Sequence, residues 1–216
     1  MKTRATKTVV LIVAHPDDET LWVGGTILEN PEWDCFVVCL CRKHDADRSS
    51  KFYKILDLLN VEGVMGDLDD GPDQVSLDDS IVGQAILDLL PAKSYDLVIT
   101  HSPFGEYTRH RRHEETGNAV IRLWSAELLV TKALWFFAYE DGDGRYLPKA
   151  IKHGVRYECL SDEVWAEKYK LMTTHYGFGA DSWEALTTPR AEAFWQFGRP
   201  SEAVDWQKHK ERQEDL

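Results

Sequence analysis

Two rhythms of apolar and polar positions alternate along the chain. Short, nearly continuous apolar runs, of which Val9-Val10-Leu11-Ile12-Val13-Ala14 is the clearest, have the length and β-branched content of strands buried on both faces. They predict strands over 8–14, 35–41, 63–66, 95–101 and 133–139. Between them, apolar residues recur at helical spacing over 20–29, 46–60, 77–90 and 110–124, with two further helices over 161–173 and 201–213. Such alternation builds βαβ units, so the fold expected is α/β, a Rossmann-like three-layer sandwich with a mostly parallel central sheet and helices on both faces. Gly24-Gly25 lowers helix propensity early in the first helix, which predicts a close approach of that helix to the sheet. Asp141-Gly142-Asp143-Gly144 marks 140–158 as a turn, and 177–200 is rich in Gly, Trp and Phe without a clear period, a pattern of core or rim packing. No linker interrupts the chain. One domain over 1–216 is expected, with the segment 174–216 packing on its core.

In a parallel sheet with right-handed crossovers the C-terminal ends of the strands share one edge. Three of those ends carry polar chemistry here: His15-Pro16-Asp17-Asp18-Glu19, Arg42-Lys43-His44-Asp45, and His101-Ser102-Pro103-Phe104-Gly105-Glu106-Tyr107 just before a helix starting near His110. His15 and Asp18 are three apart in a turn entering a helix, and His110 and His113 are three apart on one helix face. Two histidines and one carboxylate with an open position form the ligand set of a catalytic zinc site. These four residues compete for three places. Singly each has an ordinary reading, Asp17 or Asp18 as a helix cap and the histidines as solvated residues, but their convergence on one edge favours a site.

Charge narrows the partners. Twenty-five basic against thirty-seven acidic residues give a formal charge of −12, so nucleic acid is disfavoured as a partner. The densest basic run, Arg109-His110-Arg111-Arg112-His113, is bounded by Glu106, Glu114 and Glu115. It suggests either a solvated helix face or recognition of a carboxylate or phosphate on the substrate. Cys35, Cys39, Cys41 and Cys159 form no Cys-x-x-Cys pair and read as free, mostly buried thiols of a reducing compartment. The apolar run at 9–14 is broken by His15-Pro16-Asp17-Asp18, and no integral membrane segment is expected, so the chain reads as cytoplasmic. Eight tryptophans leave room for an apolar interface in a homo-oligomer.

Ala14-His15-Pro16-Asp17-Asp18-Glu19 after a strand, followed much later by His110-x-x-His113 and Glu-Glu-Thr-Gly, resembles the LmbE-like or PIG-L family of zinc-dependent N-deacetylases. Lys168 with His175 seven residues on resembles a further family element. The resemblance implies Zn²⁺ held by His15, Asp18 and His113, Asp17 as general base, and His110 as the histidine that stabilises the tetrahedral intermediate or protonates the leaving amine. It places Arg48 and Asp70 near the substrate, an N-acetylated amino sugar or sugar conjugate such as an N-acetylglucosamine derivative. Lys51, the Arg111-Arg112 interior of the second motif and Tyr176-Gly177 after His175 depart from the family pattern, and they bear on substrate details. The rivals are a nucleotide-binding Rossmann-like protein and a non-catalytic relative. The first lacks Gly-x-Gly-x-x-Gly after the first strand and sets three acids where phosphate would lie. The second has no need of all five zinc and catalytic positions.

Overall fold

In the computed structural model, which describes residues 6–92, 94–107, 110–153 and 156–214, the first apolar run forms strand β1 (Thr8–Val13). Its alternate side chains point to opposite faces. Val9, Leu11 and Val13 pack with Trp22, Phe52, Ile55 and Met172 on one side, and Val10 and Ile12 with Val82, Ile86, Val120 and Leu123 on the other. A strand covered on both faces explains why its sequence is apolar at every position.

The remaining strands are β2 (Asp34–Cys41), β3 (Glu62–Leu68), β4 (Ser94–Tyr95), β5 (Leu97–Thr100), β6 (Val130–Thr131), β7 (Leu134–Phe137), β8 (Tyr139–Glu140), β9 (Lys149–Ala150), β10 (Arg156–Cys159) and β11 (Ala191–Phe197). Six of them and β1 form one seven-stranded sheet in the order β10-β11-β7-β5-β1-β2-β3. The pairs from β7 through β3 are parallel, whereas β11 runs antiparallel to both β7 and β10. The helices are α1 (Asp18–Leu21), α2 (Gly24–Glu29), α3 (Ala46–Leu59), α4 (Asp79–Leu89), α5 (Arg111–Ser125), α6 (Asp162–Lys170), α7 (Trp183–Thr187) and α8 (Pro200–Glu214), and a π-helical turn, Leu171–His175, continues α6. The α/β fold with a mostly parallel sheet is therefore as the sequence predicts. Among the described residues four helices have side-chain caps from the N-cap residue: Asp45 accepts from the Arg48 amide at 3.0 Å, Asp78 from Ser80 at 2.8 Å, Ser161 from Val164 at 3.2 Å and Ser182 from Ala185 at 3.2 Å.

Three local readings change. The helix expected over 20–29 is two short helices broken at Trp22-Val23. The stretch 140–158 holds β9 and most of β10 as well as turns, and 177–200 holds α7 and β11. A strand in which Glu192 and Gln196 interrupt the apolar residues shows neither a clean alternation nor a continuous run, so β11 carries no period-2 signal. Glu192 is fully buried because it ties α2 and α6 to the sheet. Its carboxylate accepts from the amides of Gly25 and Thr26 (2.8 and 2.7 Å), from the Thr26 hydroxyl (2.6 Å) and from Lys168 Nζ (2.6 Å). It thereby caps the start of α2. A Cβ on Gly25 would lie 2.5 Å from Leu160 and 3.0 Å from Glu192 Oε1, which is the close approach the glycine pair predicts. Cys35, Cys39 and Cys41 are buried free thiols and Cys159 is an exposed one. Among the described residues no helix is long and apolar enough to cross a membrane.

Candidate active site

At the C-terminal end of β1 the chain turns through Pro16 and Asp17 into α1. Asp18 sits in the first turn of that helix, so its Oδ2 folds back to accept the His15 amide at 2.8 Å, while Oδ1 takes the indole N–H of buried Trp22 at 2.9 Å. His110 stands at the N-cap of α5 in extended conformation and His113 one turn inside it. The helix reaches the sheet edge because residue 117 is glycine. A Cβ there would meet the His101 carbonyl at 2.6 Å and the Pro103 nitrogen at 2.7 Å. This packing carries His113 to within 3.2 Å of His15, ninety-eight residues away.

His15 Nδ1, His113 Nε2 and Asp18 Oδ2 form a nearly equilateral triangle with edges of 3.2, 3.3 and 3.4 Å. Ligands about 2.0–2.2 Å from a tetrahedral zinc are separated by roughly 3.3–3.6 Å, so this donor set fits one face of such a site. Two other groupings lie nearby, His15 with His110 and His113, and Asp18 with His101 and His113. The second is weakened by a backbone contact. The Ala14 amide donates to His101 Nε2 at 3.0 Å, which occupies the lone pair a metal would need. Glu106 and Asp18 raise the proton affinity of His101 to about 9 against the cost of burial, yet Nε2 cannot both carry a proton and accept one. The fixed amide decides in favour of a neutral ring with its proton on Nδ1, toward Glu106.

Each histidine of the triangle has a carboxylate behind it. Glu106, buried beneath the site, lies 2.6 Å from His113 Nδ1 and 3.1 Å from His101 Nδ1, and its other oxygen accepts the Ser102 amide at 2.9 Å. Burial opposes its ionisation, but the two imidazoles outweigh burial and hold it down at about 2. Asp70 lies 3.2 Å from His15 Nε2. Accepting the outer N–H of each ring leaves the inner nitrogen as a lone pair directed into the triangle. Asp70 is therefore behind His15, with its oxygens also taken by Gln74 and by the Arg42 guanidinium. Burial disfavours charge on all three rings, but neighbouring carboxylates raise His15 and His113, whereas His110, beside two other imidazoles, falls to about 3. Positive charge on the His113 and His101 rings would hold the Asp18 carboxyl well below the usual range despite its burial, and with those rings neutral the His15 amide and the Trp22 indole N–H still favour its carboxylate.

Asp17 has φ 125°, a backbone conformation costing roughly 1–3 kcal/mol for a non-glycine residue. Its carbonyl accepts from the Thr20 and Leu21 amides at 3.0 and 2.8 Å, and two side-chain contacts hold it further. Its amide donates to Glu19 Oε2 at 3.0 Å, and Arg48 Nη1 donates to its Oδ2 at 2.9 Å. Buried Glu19 is itself fixed by the hydroxyls of Tyr176 (2.7 Å) and Thr20 (2.6 Å), and Arg48 lies over the Phe178 ring. Burial and the adjacent Asp18 push the Asp17 carboxyl up to about 8, with Arg48 opposing. A divalent cation beside it would draw that value down.

His15, Asp17, Asp18, Arg48, His110 and His113 thus line one cavity of about 180 Å³. Arg112 does not reach it. Its buried guanidinium holds the 69–75 loop through the carbonyls of Asp69 and Val75 and pairs with Glu115, so it is unavailable to an anionic substrate. Arg111 is exposed, and Arg109 lies outside the described residues. Lys168 is buried against Glu192, and neither it nor His175 lines the cavity. The sequence reading missed Glu106, His101 and Tyr176. Only the position of His101 and Glu106 at a strand end hinted at them.

The PIG-L model, described as GlcNAc-PI de-N-acetylase, matches residues 10–124, just over half of the 216. The chain belongs to this family. A curated relative, an uncharacterised protein of Acanthamoeba polyphaga mimivirus, is 26% identical over 119 residues, 49% of this chain and 52% of that one, so the match spans about half the relative's length. Among solved structures, N,N'-diacetylchitobiose deacetylase from Pyrococcus horikoshii aligns with TM-score 0.66 and 17% identity over 90% of this chain and 85% of its own. A deacetylase of the teicoplanin biosynthesis pathway aligns with TM-score 0.61 and 14% identity, over 88% and 97%. The 4-carboxy-2-hydroxymuconate hydratase of Pseudomonas putida KT2440 aligns with TM-score 0.55 and 16% identity, over 84% and 83%. At these identities the likeness is one of fold, and the hydratase means that membership of the fold does not choose the reaction. The choice has to come from the site.

Proposed function

We propose that this PIG-L family chain is a zinc-dependent N-deacetylase that removes the acetyl group from an N-acetylated amino sugar or sugar conjugate. The observation that carries the reading is the triangle of His15 Nδ1, Asp18 Oδ2 and His113 Nε2, whose spacing and donor types suit an open zinc site. A bound zinc supplies acidification of water to a pKa of roughly 7 and polarisation of an amide carbonyl.

The residues around it then divide the proton work. Asp17, held by Arg48 and by the Glu19 carboxylate, takes the proton of the attacking water at its carboxylate. His110 is positioned beside His15 and His113, with ring centroids 4.4 Å from each; kept neutral by burial and those two rings, it would meet the oxyanion of the tetrahedral adduct through a ring N–H, and the proton taken up by Asp17 would pass to the departing amine. Glu106 and Asp70 keep the two ligand rings in the tautomer that leaves a lone pair inward.

The test is acetate release from a panel of N-acetylated sugars with metal analysis alongside. About one zinc per chain, loss of activity on chelation and its return with Zn²⁺ are expected. Asp17→Asn should keep the metal and lose most of the rate, whereas His113→Ala should lose the metal. A fully active Asp17→Asn protein, or a wild-type protein that releases no acetate from any of the panel, would refute the reading.

A further inference from the structure

The cavity around the triangle is small. About 180 Å³ is below the roughly 300–1,000 Å³ of a site that encloses a whole ligand, so it holds the acyl end of a substrate and leaves the rest at the mouth. Two side chains at that mouth come from α7, in the part of the chain beyond the family match at 10–124. Trp183 is 37% exposed, and its ring lies 4.8 Å from Tyr107 and 6.4 Å from Trp22, measured between centroids. Tyr107 and Trp22 are themselves stacked at 6.0 Å, so the exposed indole is braced by two rings anchored in the catalytic wall. Glu184, the next residue, also lines the cavity and is half-buried. Among the described residues no hydrogen bond or ion pair engages its carboxylate.

A braced aromatic face beside a half-buried acceptor matches the two sides of a pyranose. The ring C–H bonds give an apolar face that packs on an indole, and the hydroxyls around its edge are donors for a carboxylate. A wholly aliphatic group would leave Glu184 desolvated without a donor, and a simple anion would meet its charge. We infer that Trp183 and Glu184 form the sugar-ring subsite of this enzyme, Trp183 stacking on the pyranose that carries the acetamido group and Glu184 accepting from one of its hydroxyls. This inference rests on the deacetylase reading and adds the residues that select a sugar over other acetamides.

The test compares zinc-loaded wild type with Trp183→Ala, Trp183→Phe and Glu184→Gln, using methyl N-acetyl-β-glucosaminide as the sugar probe and the neutral N-acetylglycinamide as the probe without a ring. Expected for the glucosaminide is a rise in KM of roughly tenfold in Trp183→Ala, with partial rescue in Trp183→Phe and kcat little changed. Glu184→Gln should raise the same KM several-fold. N-acetylglycinamide kinetics, zinc content and melting temperature should not follow these changes. Binding is read independently by calorimetry with methyl β-glucosaminide, the amine product, whose affinity should fall in parallel with KM. Wild-type acetate release with an unchanged KM and unchanged product affinity in Trp183→Ala would overturn the subsite while leaving the deacetylase reading intact. If wild type released no acetate at all, the deacetylase reading would fail. Product affinity lost in Trp183→Ala would then still support the sugar subsite, and unchanged affinity would overturn it too.

Discussion

Replacing Glu106 by Gln changes one oxygen to an amide nitrogen at a buried position, and the hydrogen-bond pattern leaves the amide no good orientation. Oε2 of Glu106 faces the Nδ1 atoms of His113 and His101 at 2.6 and 3.1 Å, and Oε1 faces the Ser102 amide at 2.9 Å. If the Gln oxygen turns to the histidines, its NH₂ meets the Ser102 N–H, donor against donor. If the NH₂ turns to the histidines, both rings must move their proton to Nε2. His113 then presents a proton where a metal lone pair is needed, and His101 presents one to the Ala14 amide at 3.0 Å. The first orientation leaves a buried donor unmade, costing about 1–3 kcal/mol of folding stability, and the second falls on the metal. Loss of an outer-shell carboxylate costs metal affinity about 10–100-fold, or roughly 1.4–2.7 kcal/mol. Zinc affinity by competition with a chelator reads one route, and melting of the metal-free protein reads the other at roughly 2–4 °C per kcal/mol. The variant must lose on at least one. Unchanged zinc affinity together with an unchanged melting temperature would refute the tautomer argument, and with it the assignment of His113 Nε2 as an inward lone pair.

Tyr176→Phe removes the hydroxyl that fixes Glu19, costing about 1 kcal/mol of stability; kcat should fall while zinc content stays whole, and an unaltered kcat would mean that Asp17 holds its φ of 125° without this brace. Gly117→Ala sets a Cβ against backbone at 2.6 Å, so α5 must shift; urea unfolding should report a loss of roughly 1–3 kcal/mol and zinc affinity should weaken, and wild-type values for both would contradict the packing. Arg112→Met frees the 69–75 loop that carries Asp70, so proteolysis in that loop should become faster, whereas KM for an anionic acetamide should not rise relative to a neutral one. Asp96 is held down at about 2 by Lys132 and by the Thr8 amide and hydroxyl, below its ordinary 3.8. Its contribution is therefore full above pH 3.8 and lost as pH falls toward 2, and Asp96→Asn should flatten the melting curve against pH in that window. An equally steep acid limb in the variant would remove the ion pair from the account.

The parallel half of the sheet was legible because burial on both faces writes itself into consecutive apolar residues, as in 9–14. The antiparallel half was not. β10 is a short edge strand, Arg156–Cys159, without an apolar run, and β11 breaks its pattern at Glu192, whose reason for being apolar-buried lies in α2 and Lys168, far away in sequence. The same distinction runs through the site. His15, Asp17 and Asp18 share one short motif, and His110 and His113 share another, so local spacing raised both. Glu106 and Asp70 act by facing a ring from another segment, which no periodicity records. Arg112 sits inside the second motif beside the cleft in sequence, yet one position along a helix rotates it by about 100°, away from His113 and onto the 69–75 loop.

These placements divide the labour between the two parts of the chain. All donors of the triangle, and both carboxylates behind its rings, lie within the family match at 10–124. What the remainder adds is of two kinds. Tyr176 fixes Glu19 and Phe178 lies under Arg48, so both support the strained Asp17, the proposed base, in a way indifferent to substrate. Trp183 and Glu184 line the cavity from α7, and beyond the packing of Trp183 on Tyr107 and Trp22 the proposed use for them is contact with the substrate. If Asp17 is the general base, it needs this support whatever the acyl donor is, so the first contribution should tolerate little change. Stacking and a single acceptor can be altered without touching metal or base, so the second is where this chain's preference among acetamides would be set.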